Sequence, residues 1–402
     1  MTITKIPDGH VTLPKGFLAG AVSAGIKTRV GALDLCLLLS ERDCAAAGVF
    51  TRNEVKGAPV VLSAEHVADG RLRAIVANSG CSNSLNGPGG YEDATEMAQL
   101  AASQLGLAVT EVAVCSTGVT GVRMPMEKVR SHLPTVAVSA EGGPSLAEAI
   151  MTTDTRPKSV AVSAVTGGGS YTVAGCAKGS GMIHPNMGTM FCFVTTDAEV
   201  EIEYLRALQR EVADQTLNMV SVDGDTSCSD TFLVLANGAA GLPRIEAGTA
   251  DAEEFRQALL TVCTHLSREL ARDGEGAKHL IEIAVSGATS LEDARLVART
   301  VSTSPLVKTA VAGFDPNWGR ILVAAGRAGA ALEESRTSMR LQGELIYDRG
   351  KALPFDEAAM SKRLEEEEVR IELDLGLGSA QATAWGCDLT ADYVHINADY
   401  RT

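Results

Sequence analysis

The segment 177–200, AKGSGMIHPNMGTMFCFVTTDAEV, holds the residues best suited by type and spacing to do chemistry. Gly179, Gly181 and Pro185 exclude regular structure, so it begins as a loop. The loop runs through Gly188 and Thr189 into an apolar strand that starts at Met190. A glycine-rich loop ahead of a buried strand lets a backbone carbonyl approach a side-chain nucleophile. The chemistry this allows is self-cleavage. The Thr189 hydroxyl attacks the Gly188 carbonyl, the acyl group passes from nitrogen to oxygen, and water cuts the ester, leaving Thr189 as a new N-terminus. An α-amine with a pKa of roughly 7.7–8.0 is partly neutral near pH 7 and can serve its own hydroxyl as a base. Lys178, earlier in the loop, would lower that amine's pKa or hold a substrate carboxylate. The plainer reading is a glycine-rich connection with an ordinary threonine leading a strand.

Other chemistry-bearing residues weigh less. Asp223, Asp225 and Asp230 invite a divalent-metal reading, but the glycine is misplaced for a calcium loop and no distal glutamate completes one. A turn followed by a strand accounts for them better. GEGAKH (274–279) lacks the phosphate-loop spacing. The seven histidines are isolated, against catalytic zinc. His184 is expected at the solvent surface. Trp318 and Arg320, in PNWGR, are expected to pack and pair.

Apolar runs that read as strands cover 34–39, 74–77, 112–115, 160–165, 171–176, 190–195, 231–235, 281–286, 339–347, 369–375 and 380–385. Helical periodicity covers 92–104, 199–220, 251–272 and 291–301. In 251–272, Phe255, Leu259, Val262, Leu266 and Leu270 make one apolar stripe. The charged run RLEEEEVR (363–370) reads as a solvated helix end before a strand. Helices and strands alternate without a strict βαβ rhythm, so the expected fold is layered α/β with mixed or antiparallel sheets. The expected division is a catalytic domain over 1–285 and a smaller α+β domain over 286–402.

The chain has 402 residues, with 35 basic and 50 acidic side chains and a formal charge of −15. That balance excludes a generally basic nucleic-acid binder and disfavours anionic membranes. The first residues lack a secretory signal, and no apolar run reaches spanning length. The nine cysteines are scattered, without a C-x-x-C pair, as in reduced thiols of a cytoplasmic protein.

Many long blocks in order resemble the ornithine acetyltransferases (glutamate N-acetyltransferases) of the cyclic arginine pathway. They include GFLAGAVSAGIK (16–27), VANSGCSNSLNG (76–87), STGVTGVRMPM (116–126), AIMTTDTRPK (149–158), KGSGMIHPNMGTM (178–190), SVDGDTSCSDT (221–231), SPLVKTAVAGFDPNWGRI (304–321) and WGCDLTADYVHINADYRT (385–402). The resemblance implies a layered mixed-sheet sandwich of the ornithine-acetyltransferase/aminopeptidase-like type. It implies cleavage between Gly188 and Thr189, with Thr189 as the acyl-accepting nucleophile. Thr117 and Gly118 would form the oxyanion hole. Lys178 and a threonine of the TTDT run, assigned as Thr152, would contact substrate. Glu275 would meet the substrate amino group, and Asn397 and the terminal Thr402 would help position it.

The implied reaction moves acetyl from N2-acetylornithine to glutamate by a ping-pong cycle through acetyl-Thr189, with no cofactor. Acetyl-CoA is left open as a second donor, and processed chains 1–188 and 189–402 would assemble as α2β2. The competing enzyme class is a threonine-nucleophile amidase or aminopeptidase. Three departures from the family pattern stand out: Gly188 where alanine is usual, GEGAKH for GEGATK, and Cys228-Ser229 where threonine and asparagine are common.

Overall fold

The computed structural model describes residues 3–184 and 190–399. Two mixed sheets organise them. The first contains β1 (Ile3–Ile6), β2 (Phe17–Val22), β3 (Leu35–Phe50), β4 (Arg71–Cys81), β5 (Val112–Val119), β6 (Lys158–Thr166), β7 (Gly169–Lys178), β8 (Phe191–Thr196) and β10 (Thr231–Ala236). Its order is β1-β6-β7-β8-β10-β3-β4-β5, with β2 paired to β3. The β8–β10 and β4–β5 pairs are parallel; the others are antiparallel. The second sheet contains β9 (Val220–Ser221), β11 (Leu280–Ala288), β12 (Ser338–Leu341), β13 (Glu344–Asp348), β14 (Lys351–Ala352), β15 (Glu368–Asp374) and β16 (Ala380–Cys387). It runs β14-β13-β12-β15-β11-β16-β9.

Period-two alternation explains how β3 to β5 are covered on both faces. Leu35, Leu37, Ala74, Val76, Val112 and Val114 point to one side and pack with Met97, Ala98 and Val129. Cys36, Leu38, Ile75, Ala77, Ala113 and Cys115 point to the other, against Leu146 and Ile150. The helix Ala250–Arg272 does the same work for the largest core cluster, which draws on both sheets. Its stripe of Phe255, Leu259, Val262, Leu266 and Leu270 is wholly buried, as the periodicity predicts. Each such side chain contributes about 1.5–3 kcal/mol relative to exposure. Thr249 caps the helix by accepting the Ala252 N–H.

Two expected elements differ. The helix expected over 199–220 is Ile202–Gln215. At Thr216 the backbone leaves helical geometry, and a 3₁₀ turn leads into β9. The strand expected over 339–347 is the β12–β13 hairpin. Gln342 and Gly343 both take positive φ, the geometry of a tight two-residue turn. All nine cysteines are buried and free, as small hydrophobes are. Among the described residues no helix is long and apolar enough to cross a membrane.

Candidate active site

Strand ends build the site. Lys178, the last residue of β7, pairs directly with Phe191, the first of β8. The chain between them therefore leaves and re-enters the sheet at one rung. Thr117 and Gly118 lie near the end of β5, opposite Ser79 and Gly80 of β4. The turn after the helix Ala250–Arg272 brings Glu275, and the helix Ala391–Asp399 brings Asn397.

These parts enclose a cavity of about 230 Å³. Thr117, Gly118, Thr152, Lys178, Glu275 and Asn397 all line it, as does Met190, next in sequence to Thr189. Gly188, Thr189 and Thr402, to which the resemblance gives cleavage, nucleophile and positioning roles, lie outside the described residues.

Lys178 is buried, and its Nζ donates to Thr117 Oγ1 at 3.2 Å. An ammonium carries only donors, so the hydroxyl accepts and its own proton remains available to another acceptor. Gly118 has φ +126, and a Cβ there would come within 2.4 Å of the Gly80 carbonyl carbon. Only glycine allows β4 and β5 to approach so closely at this rung. Burial lowers the Lys178 pKa, and Lys158 lowers it further; Asp154, Asp230 and Glu275 act in the opposite direction.

Glu275 is held from two sides. Its backbone N–H donates to the Ser180 carbonyl at 2.9 Å. Its Oε2 accepts from Asn397 Nδ2 at 2.7 Å. The carboxylate lies so close over Gly181 that a Cβ there would fall 2.3–2.4 Å from it. That contact gives a structural reason for the second glycine of KGSG.

Other cavity residues escaped the residue-by-residue reading: Ser82, Thr120, Met182, Ser227 and Tyr393. All of them fall inside the long blocks quoted above, so order along the chain was the signal, not local chemistry. Asp223 behaves as the turn reading expects. Its carboxylate accepts backbone N–H groups from Met182 at 2.6 Å, Ile183 at 2.9 Å and Asp225 at 3.2 Å. Among the described residues no group of side chains is arranged to hold a metal ion. Burial raises the Tyr393 pKa, helped by Asp223, Glu275 and Asp225 and by a hydrogen bond with Asp223.

His184 is not at the surface as expected. Its ring is partly buried between Ser221 Oγ at 3.1 Å and Arg299 Nη2 at 2.7 Å. Burial and the guanidinium lower its pKa to about 4. Since arginine only donates, Nε2 accepts and Nδ1–H donates to Ser221. Trp318 packs on Tyr347 with ring centroids 5.5 Å apart, and Arg320 donates to the Leu306 carbonyl.

Comparison with known proteins matches residues 18–402 to the ArgJ family. A protein of Dehalococcoides mccartyi named arginine biosynthesis bifunctional protein ArgJ is 49% identical over 402 residues, covering 100% of this chain and 99% of its own. The protein of that name from Symbiobacterium thermophilum is 51% identical over 397 residues, covering 98% of this chain and 99% of its own. Among solved structures, arginine biosynthesis bifunctional protein argJ from Bacillus halodurans is 38% identical with a TM-score of 0.52. It covers 53% of this chain and 100% of that one.

Proposed function

As the chain belongs to the ArgJ family, we propose that it transfers acetyl from N2-acetylornithine to glutamate through an acetyl-threonine intermediate. The observation that carries this reading is one cavity. It gathers Thr117, Gly118, Thr152, Lys178, Glu275 and Asn397 from five separate stretches of sequence, beside Met190.

Maturation comes first. Thr189 Oγ attacks the Gly188 carbonyl, the C–N bond breaks, and the nitrogen takes the hydroxyl proton. Water then hydrolyses the ester, giving chains 1–188 and 189–402. The latter makes up the same share of this chain as the whole Bacillus halodurans chain covers, 53%.

In transfer, the neutral Thr189 amine takes the Oγ proton as Oγ attacks the acetyl carbonyl. The Thr117 hydroxyl and Gly118 N–H stabilise the oxyanion. The C–N bond to ornithine breaks, and the amine returns the proton to the leaving nitrogen. Acetyl is now an ester on Thr189. Glutamate enters the same cavity, its neutral amine attacks the ester carbonyl, the C–Oγ bond breaks, and the proton lost by the nitrogen passes through the Thr189 amine to Oγ as N-acetylglutamate departs. Lys178 suits an α-carboxylate and Glu275 an α-amine, groups that both amino acids share. No step calls for a cofactor. Acetyl-CoA as an additional donor and α2β2 assembly belong to the same proposal.

Denaturing electrophoresis and an exchange assay test it. Wild type should give fragments 1–188 and 189–402, and glutamate should accelerate loss of acetylornithine. Thr189→Ala should abolish both. Turnover in that variant, or acetate released with no gain from glutamate, would falsify the assignment; the second outcome points to an amidase.

A further inference from the structure

A closed ionic cluster lies behind the cavity. Lys158 Nζ donates to Asp154 Oδ1 at 2.6 Å and to Asp273 Oδ2 at 2.5 Å. None of the three side chains is more than 3% exposed. Burying such charges costs several kcal/mol per ion, and well-packed apolar residues often stabilise a fold as well. Stability alone therefore does not account for the cluster.

Its remaining hydrogen bonds point to the site. Asp154 Oδ1 accepts the Gly179 N–H at 2.7 Å, and Oδ2 accepts the Thr152 N–H at 3.0 Å. Asp273 accepts the Thr155 N–H at 3.1 Å and the Thr155 hydroxyl, while its carbonyl accepts from Ser180 Oγ at 2.6 Å. One cluster thus fastens the turn bearing Thr152, the loop leaving Lys178, and the turn bearing Glu275.

We propose that Asp154 is a positioning residue for acetyl transfer: it orients Thr152 and the Lys178–Gly179 turn, and supplies the fixed counter-charge that keeps Lys178 an ammonium. The inference rests on reading Lys178 and Thr152 as substrate contacts. The formal charges balance, with Asp154 and Asp273 against Lys158 and Lys178. Other charged groups that act on this pair include Asp230, Glu275 and Lys27. Burial alone would raise the Asp154 pKa, but Lys158, Lys178 and the Gly179 N–H overcome it and hold the group at about 2. Asp154 is therefore charged throughout the working range. Asp273 shares Lys158, but it accepts from Thr155, whereas Asp154 accepts from Gly179, the residue next to Lys178.

That asymmetry gives the test. The pH profile of kcat/KM for glutamate is measured on processed wild type, Asp154→Asn, Asp154→Glu, Asp273→Asn and Lys178→Met. Asp154→Asn should move the alkaline limb down by about 1 pH unit or more, the expected result of removing an opposite charge that acts on Lys178. Asp273→Asn and Asp154→Glu should melt earlier yet keep the wild-type limb. An unmoved limb in Asp154→Asn, or equal displacement in Asp154→Asn and Asp273→Asn, overturns the inference. Where Asp154→Asn does not fold, Asp154→Glu decides, since a displaced limb despite the retained charge overturns it too. Lys178→Met separates the two levels. Wild-type kcat/KM there means the reading of the cavity is wrong. A loss of about tenfold or more, beside an unmoved Asp154→Asn limb, sinks only the role of Asp154.

Discussion

Lys178 and Thr117 meet at 3.2 Å although four strands separate β7 from β5 in the sheet. The sheet must curl for these two strand ends to touch. The contact turns the threonine hydroxyl into an acceptor from the ammonium and leaves its proton for another acceptor, in the proposed reaction the oxyanion.

Thr117→Val keeps the shape and removes that proton. The expected loss is about 10²–10³ in kcat, the usual effect of deleting one oxyanion donor. Steady-state exchange between acetylornithine and glutamate measures it, with Thr117→Ser as the recovering variant. A rise in KM at unchanged kcat would count against a transition-state role.

Gly181→Ala places a methyl group on the Glu275 carboxylate. The glutamate side chain can swing away, so the protein should fold with a loss of about 1 kcal/mol or less. The displaced carboxylate gives up its bond to Asn397, and KM for acetylornithine should rise by roughly tenfold. Thermal melting and kinetics on one sample separate the two effects. Unchanged KM would show that Glu275 does not contact substrate.

Deleting residues 391–402 removes a helix none of whose described side chains is buried. The melting temperature should fall by no more than about 2–4 °C, the change that accompanies about 1 kcal/mol. Asn397 and Tyr393 leave with it, so kcat/KM should drop while the fold persists. A collapse of stability would show that the helix braces the core.

His184 sets an acid-side slope. Its pKa falls from 6.5 to about 4 on folding, through burial and Arg299. Between those values the unfolded chain binds a proton that the native chain does not. Stability therefore declines as pH falls from 6.5 toward 4. His10 and His265, also lowered by burial, add to the slope. Denaturant titrations across the window should find it shallower in His184→Gln, and an equal slope would refute the assignment.

The sequence revealed the layers where local patterning decides them. The stripe from Phe255 to Leu270 and the apolar runs of β4, β5 and β8 needed no tertiary information. Thr216, where the helix stops, and Gln342-Gly343, where one strand becomes two, depend on single backbone conformations that periodicity averages away. Lys178 stood out by its place in the glycine-rich loop, whereas Thr117 and Glu275 were legible only through resemblance, because residues this far apart in sequence are brought together by tertiary folding. The cluster of Lys158 with Asp154 and Asp273 carried no local signature. TTDTRPK shows two of its members at helical spacing, yet no helix forms there.

Strand order has a consequence for how a severed chain would hold together. Residues before the proposed cut supply β1, β6 and β7 on one side and β3, β4 and β5 on the other; residues after it supply β8 and β10 between them. The halves are dovetailed, so nicking frees neither. Once denatured, the nicked protein must refold as a bimolecular encounter whose yield depends on concentration, whereas uncut Thr189→Ala refolds as one chain at any dilution.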